Sequence, residues 1–114
     1  MTTLLKSATI IDTSSPYHYQ TKDILIVNGK ISEIATTIQQ EPSYKTIKLN
    51  NLHVSCGWFD TSVSFGEPGY EERETINNGL EVASKSGFTA VAVNANTNPV
   101  IDSKSDVEFL INKA

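Results

Sequence analysis

Residues 52–93 read LHVSCGWFDTSVSFGEPGYEERETINNGLEVASKSGFTAVAV, and this stretch decides the fold. Leu52–Asp60 is mostly apolar and is predicted to form a buried strand. Glu72–Lys85 repeats apolar residues at three- and four-residue spacings, which predicts an amphipathic helix. Phe88–Val93 is a second apolar strand, and a final helix is predicted to begin near Ser105. The order strand–helix–strand–helix favours parallel strands joined by a right-handed crossover.

Both predicted helices carry signals at their ends. Three glutamates stand near the start of the first helix, where its dipole favours negative charge, so a solvated helix start is preferred over acid–base machinery. These are Glu71, Glu72 and Glu74. Gly87 is placed to end that helix. Ser105 with Glu108 is expected to form a capping box at the start of the final helix.

The N-terminal part has a different pattern, with short strands and turn residues. Asn28-Gly29 separates two strand-like runs and predicts a β-hairpin, since both turn positions need positive φ. Leu4–Ile11 is a further predicted strand, and Tyr44–Leu49 is a plausible edge strand. We therefore expect a small antiparallel β unit over residues 1–51 and a strand–helix unit over residues 52–114.

Composition narrows the class of protein. The 114 residues carry 9 Lys and Arg against 13 Asp and Glu, a net charge of -4 that argues against nucleic-acid and membrane partners. A single cysteine excludes an internal disulfide framework and fits a reducing compartment. No apolar run approaches the ~20 residues needed to cross a bilayer. The expectation is a soluble, cytoplasmic α/β protein.

Polar residues follow both strands of the predicted parallel pair. In such folds, binding groups collect on the loops that leave the carboxyl ends of the strands. Here those loops are 60–70 and 94–100, and neither contains histidine. Their polar residues are Asp60, Thr61, Ser62, Ser64, Glu67, Asn94, Asn96, Thr97 and Asn98.

Residues 56–76, CGWFDTSVSFGEPGYEERETI, resemble the first barrel strand and loop of the dihydroorotases in the amidohydrolase superfamily. The family segment runs Pro-Gly-x-Ile-Asp-x-His-x-His-x-Arg-Glu-Pro-Gly, followed by Glu-Thr-Ile. Asn96-Thr97 matches the family's next motif, Pro-Asn-Thr. The resemblance implies an α/β fold: a small N-terminal β-sandwich part, then the first two βα units of an incomplete TIM-like (β/α)8 barrel. It covers the chain but only about the first quarter of a family member.

Three departures from the family pattern fall in one place. Ser62 and Ser64 stand where the family has the two histidines that ligate zinc, and a neutral hydroxyl is a poor zinc ligand. Gly66 stands where the family has the arginine that pairs with the substrate carboxylate. Asn96 retains a position that binds substrate in the family, and Asp60 is also retained. The resemblance therefore implies a substrate-binding Asn96 but no metal or other cofactor in this chain.

The leading hypothesis is the N-terminal segment of a dihydroorotase-like protein that is not catalytic as given. The resemblance implies pyrimidine biosynthesis as the pathway. One alternative is a longer, active parent that hydrolyses cyclic amides with other metal ligands. Another is a scaffold that binds aspartate carbamoyltransferase. Because two parallel strands leave an edge and an apolar face uncovered, we also expect self-association or cover by the rest of a barrel.

The remaining candidate residues have simpler interpretations. His18 is expected to be a solvated loop residue, and His53 a packed or exposed strand residue, because neither has the spacing of a metal pair. Cys56 is expected to be a buried structural thiol. Asn94 and Asn98 fit either a polar binding loop or a loop held by Asx turns before Pro99.

Overall fold

The chain divides into two units in the computed structural model, which describes residues 1–114: Met1–Cys56 and Gly57–Ala114. The first unit contains only strands: β1 Thr2–Ile11, β2 Thr21–Val27, β3 Lys30–Ala35, β4 Lys45–Ile47 and β5 His53–Ser55. The second alternates strands and helices: β6 Trp58–Val63, α1 Ile76–Lys85, β7 Phe88–Val93 and α2 Lys104–Lys113. The predicted mixed α/β class is confirmed. Neither helix is long and apolar enough to cross a membrane.

The sheet of the first unit is built around β1. Its strand order is β3-β2-β1-β4, and β5 also pairs with β1. The pairs β1–β2 and β2–β3 are antiparallel, whereas β4 pairs in parallel with residues 3–5 of β1 and β5 with residues 9–11. The predicted antiparallel unit is therefore confirmed for β1, β2 and β3, but it was wrong for β4 and β5. The edge strands β4 and β5 share one side of β1, one after the other.

The predicted hairpin is confirmed. Asn28 and Gly29 join β2 to β3 with φ values of 50° and 78°. Positive φ at both turn positions is what a two-residue hairpin with the right-handed twist of its strands requires.

A buried carboxylate lies inside the first unit, whose buried apolar residues include Leu4, Ala8, Ile10 and Ile24. Asp23 on β2 is 2% exposed. It accepts hydrogen bonds from the backbone N–H of Ser7 at 2.8 Å and of Ile38 at 2.9 Å, and it pairs with the ammonium of Lys6. Ser7 has φ of 55° and lies where the β1–β2 register shifts. Asp23 therefore stabilises the irregular part of β1.

The second unit corrects one sequence prediction. Leu52–Asp60 is not one buried strand: residues 53–55 form β5 against β1, and β6 begins at Trp58 and continues to Val63. In β6, Trp58 and Phe59 are 61% and 60% exposed. They are exposed because β6 pairs only with β7, in a two-stranded parallel sheet that has no further strands around it.

The helix starts also differ from those predicted. Thr75 caps α1 and accepts the N–H of Asn78 at 3.3 Å, so the three glutamates near residue 72 precede the helix and lie outside its first turn. Ser103, not Ser105, caps α2 in a capping box with Asp106. Gly87 does end α1, with φ of 92°, as predicted.

Candidate functional site

The loops that follow β6 and β7 are joined by backbone contacts. The N–H of Asn94 donates to the carbonyl of Val63 at 2.8 Å, which extends the parallel pairing past the ends of both strands. Further along, the N–H of Asn98 donates to the carbonyl of Pro68 at 3.1 Å. A Cβ at Gly69 would lie 1.9 Å from the carbonyl oxygen of Asn98, so the two backbones meet where a side chain has no room. The predicted gathering of the two loops at one edge is confirmed.

Four polar side chains form a hydrogen-bonded group at this edge, which we call the Ser–Asn cluster: Ser62, Ser64, Asn94 and Asn96. The amide of Asn94 donates to the hydroxyl of Ser62 at 3.0 Å and to that of Ser64 at 3.3 Å. The amide of Asn96 donates to Ser64 at 3.0 Å. All four side chains are exposed. The residues at the two family ligand positions thus bind amides of the neighbouring loop.

Asp60 and Thr97 support the loops but are not hydrogen-bonded to the cluster side chains. The carboxylate of Asp60 accepts the backbone N–H of Ser62 at 3.0 Å, a local contact within β6. Thr97 is buried, and its hydroxyl donates to the carbonyl of Pro99 at 2.8 Å. The side chain of Asn98 makes no hydrogen bond with the cluster. Asn94 and Asn96 donate to the serines, whereas Asn98 contributes its backbone N–H, which donates to the carbonyl of Pro68.

The cluster does not have the chemistry of a zinc site. Zinc prefers thiolate, imidazole and carboxylate ligands, and the cluster offers only hydroxyls and carboxamides. Nowhere in the chain do three His, Cys, Asp or Glu side chains come together in a way that could hold a metal ion. His18 accepts the N–H of Asp12 at 3.1 Å within a turn, and His53 is exposed beside the carbonyl of Asn51. The residues present do not fit the metal of the resembled family.

Gly66 is enclosed by its own loop. Its N–H donates to the carbonyl of Glu74 at 2.8 Å, and its carbonyl accepts the N–H of Tyr70 at 2.7 Å. A Cβ at this position would lie 2.0 Å from the Tyr70 oxygen. Gly66 is buried. The position that carries arginine in the family therefore carries glycine here, and the surrounding loop leaves no room for a side chain.

Glu67 has a structural role that sequence reasoning missed. The side chain is buried; one oxygen accepts the N–H of Ile76 at 3.1 Å, and the other pairs with the ammonium of Lys113 at 3.2 Å. Glu67 therefore joins the loop to the start of α1 and to the last turn of α2. The Glu-Pro-Gly motif marked the residue, but its partner on α2 is far away in the sequence.

Two other predictions were wrong at the side-chain level. Cys56 is exposed rather than buried, with its sulfur 3.6 Å from a carboxylate oxygen of Asp12, because the chain leaves β5 there. Glu71 does not interact with the helix start. Its carboxylate accepts the N–H of Gly69 at 3.0 Å, and this hydrogen bond lowers the pKa of Glu71.

Parallel strands with polar loops at their carboxyl edge define an α/β protein, a class of fold in which ligand sites lie at that edge. Comparison with known proteins is more specific. A family model described as Dihydro-orotase-like matches residues 52–114. The chain belongs to the dihydroorotase-like family. The fold expected from the resemblance, a β-sandwich part followed by the opening βα units of the barrel, is confirmed.

Individual relatives agree with this assignment. A dihydroorotase from Ruminiclostridium cellulolyticum is 39% identical over 114 residues, which is 100% of this chain and 26% of that protein. One from Syntrophus aciditrophicus is 36% identical over 115 residues, covering 100% of this chain and 27% of that protein. A crystal structure of D-hydantoinase matches with a TM-score of 0.72 and 25% identity, over 100% of this chain and 24% of the other. The chain spans about a quarter of the length of these relatives.

Proposed function

We propose that this chain is the opening segment of a dihydroorotase-like protein and has no zinc-dependent catalysis of its own. The observation that supports the proposal is the Ser–Asn cluster. Ser62 and Ser64 replace the histidines of the family motif, and their oxygens accept hydrogen bonds from Asn94 and Asn96. A neutral hydroxyl in such a pair is not the imidazole or thiolate that holds Zn²⁺ in proteins.

We propose that the strands and loops of the family's site are retained in this chain, while the zinc-ligating side chains are lost. Asn96 keeps its predicted role as a substrate-binding residue of the ancestral site, at the edge where α/β proteins bind ligands. The ancestral context is pyrimidine biosynthesis, with cyclic amides as the substrate class. A cytoplasmic location fits the single free cysteine.

Metal content tests the proposal. The native chain and a variant with Ser62→His and Ser64→His are dialysed against zinc, and bound metal is measured by elemental analysis. We expect no stoichiometric zinc in the native chain. The variant should gain about one equivalent, because the two imidazoles are placed at the alternate-residue spacing that presents both to one side of a strand.

The matched control carries Ser62→His alone, which supplies one imidazole instead of two at the same place. Zinc should bind more weakly to this single variant than to the double variant. Stoichiometric zinc in the native chain would overturn the proposal and require a different ligand set.

Two other roles remain as proposals for the longer protein. One is an active parent that uses other metal ligands, and an apo, inactive parent would exclude it. The other is a scaffold for aspartate carbamoyltransferase, which the exposed Trp58 and Phe59 support by offering apolar surface to a partner. Failure to recover a transcarbamoylase with the longer protein would count against the scaffold.

A further inference from the structure

Two asparagines of the chain precede glycine, and they lie in different structures: Asn28 in the hairpin turn of the first unit, and Asn78 in α1. We propose that Asn28 is a site of spontaneous deamidation, in which water converts the Asn28–Gly29 turn to aspartyl and isoaspartyl forms, whereas α1 protects Asn78. The inference does not depend on the proposed function, since it concerns the hairpin of the first unit and involves no metal.

Deamidation of an Asn-Gly pair begins when the backbone nitrogen of glycine attacks the carboxamide carbon of asparagine. A new N–C bond closes a five-membered imide, the bond from that carbon to Nδ2 breaks, and Nδ2 leaves as ammonia with the proton that the glycine nitrogen gives up. Water then opens the imide at either carbonyl carbon, which gives aspartate or isoaspartate. Glycine favours the first step because it has no Cβ to hinder the approach of the two groups.

The turn at Asn28 leaves both reacting groups accessible. Asn28 and Gly29 are exposed, and the N–H of Gly29 has no hydrogen-bond acceptor in the fold. The carboxamide oxygen of Asn28 accepts a hydrogen bond from the nitrogen of Met1 at 2.9 Å, which polarises the C=O bond under attack and leaves Nδ2 in solvent. Because the turn joins β2 to the edge strand β3, it can open without disturbing the centre of the sheet.

The same dipeptide in α1 is held by hydrogen bonds and by packing. The N–H of Gly79 donates to the carbonyl of Thr75 at 3.0 Å, so the attacking nitrogen is engaged in the helix. The carboxamide nitrogen of Asn78, which would be the leaving group, donates to the carboxylate of Glu74. Gly79 is also buried, and a Cβ there would lie 2.2 Å from the ring of Phe65. Imide formation at Asn78 therefore requires the first turn of α1 to open.

The two products have different effects on the hairpin. Aspartate leaves the backbone unchanged, and Asp-Gly forms the same two-residue turn as Asn-Gly. Isoaspartate directs the main chain through the side chain and adds a methylene group to a turn that joins the paired residues Val27 and Lys30. Because loop length sets the register of a hairpin, the isoaspartyl form should release β3 from β2.

The test follows both sites by mass spectrometry in the full chain at neutral pH. Trypsin places each Asn-Gly pair in its own peptide, residues 23–30 and 74–85. Incubation in heavy-oxygen water, followed by digestion in ordinary water, labels only the products formed before digestion. In the folded chain, we expect the first peptide to convert at least about tenfold faster than the second, because the second must wait for α1 to open. In urea, where neither site is folded, this difference should disappear.

The matched control is Asn28→Gln, whose side chain would have to close a larger ring. Its 23–30 peptide should stay unmodified, while conversion of the 74–85 peptide stays as in the native chain. The isoaspartyl form, separated by chromatography, should lose at least about tenfold of the hydrogen-exchange protection of residues 30–35, which Asn28→Asp should keep.

Two results would overturn the proposed site. One is equal conversion of both peptides in the folded chain, and the other is an unmodified 23–30 peptide after the time in which the unfolded chain converts. An isoaspartyl form that keeps full protection of residues 30–35 would overturn the release of β3.

Discussion

Asp23 shows how much one residue can contribute when it satisfies several donors at once. Burial alone would raise the pKa of its carboxyl group. The hydrogen bonds from Lys6, Ile38 and Ser7 outweigh burial and hold the pKa below its ordinary value of 3.8. The ionised carboxylate is therefore the form that the folded first unit prefers. The Asp23 carboxylate accepts the backbone N–H of Ser7, at the point where the regular pairing of β1 with β2 is interrupted.

We expect Asp23→Asn to destabilise the first unit by about 2 kcal/mol, because a carboxamide leaves the partly buried Lys6 ammonium without its counter-charge and replaces an ionised acceptor of two backbone N–H groups. Chemical denaturation followed by circular dichroism measures the loss. The matched control is Glu33→Gln, an exposed carboxylate on β3, which should change stability by less than about 0.5 kcal/mol. Equal effects from the two variants would contradict the role assigned to Asp23.

The same residue predicts a pH dependence. Because the folded-state pKa lies below the unfolded value of 3.8, the contribution of Asp23 is fully present above that value and is lost as pH falls through the lowered pKa. Stability of the native chain should therefore fall on acidification below about pH 4 more steeply than that of Asp23→Asn. Parallel curves for the two proteins would show that other carboxylates cause the acid sensitivity.

At the scale of elements, the presence of both helices was predicted correctly from the sequence, but the residue that caps the start of α2 was not. Hydrophobic spacing located both helices, but Ser103 and Ser105 are both good capping residues, each followed at three residues by an acidic one. Local sequence does not choose between them. Ser103 is selected because its hydroxyl and the Asp106 carboxylate complete both halves of the box. The hairpin at Asn28 needed no such choice, since its turn residues are specific.

Ser103→Ala should destabilise the start of α2 by about 1 kcal/mol, since the N–H of Asp106 loses its acceptor. Ser105→Ala, the matched control at the position favoured by sequence alone, should stay within about 0.5 kcal/mol. Hydrogen exchange at the Val107 amide, which donates to the Ser103 carbonyl at 3.2 Å, reports the local effect. A larger loss from Ser105→Ala would show that the helix begins two residues later.

For the whole molecule, the division of the sequence into a β part and a βαβα part was predictable, because strand and helix periodicities differ. The hydrogen bonds of the site were harder to predict from the sequence than this division. Spacing placed Ser62 and Ser64 on one side of a strand and brought the loops together, but the bonds from Asn94 and Asn96 depend on the register of β6 against β7. The closure of the loop around Gly66 was invisible in the sequence, because it depends on where two backbone carbonyls lie.

The exposed aromatic residues of β6 lead to a prediction about association. Trp58 and Phe59 lie next to each other on β6, and both are largely exposed. We propose that the chain self-associates through these two side chains. Sedimentation velocity should show a concentration-dependent increase in mass, which Trp58→Ser with Phe59→Ser reduces. Tyr19→Ser, at an aromatic residue that is 72% exposed in the first unit, should not. A monomer at all concentrations would contradict self-association.

The position of β1 in its sheet has a consequence for how the protein is made. Every strand that pairs with β1 follows it in the chain: β2, then β4, then β5. During synthesis, residues 3–5 of β1 have a strand on both sides once residue 47 has been added, and residues 9–11 once residue 55 has been added. From that point, all strands of the first sheet are present, and a nascent chain can complete this unit before the second is translated.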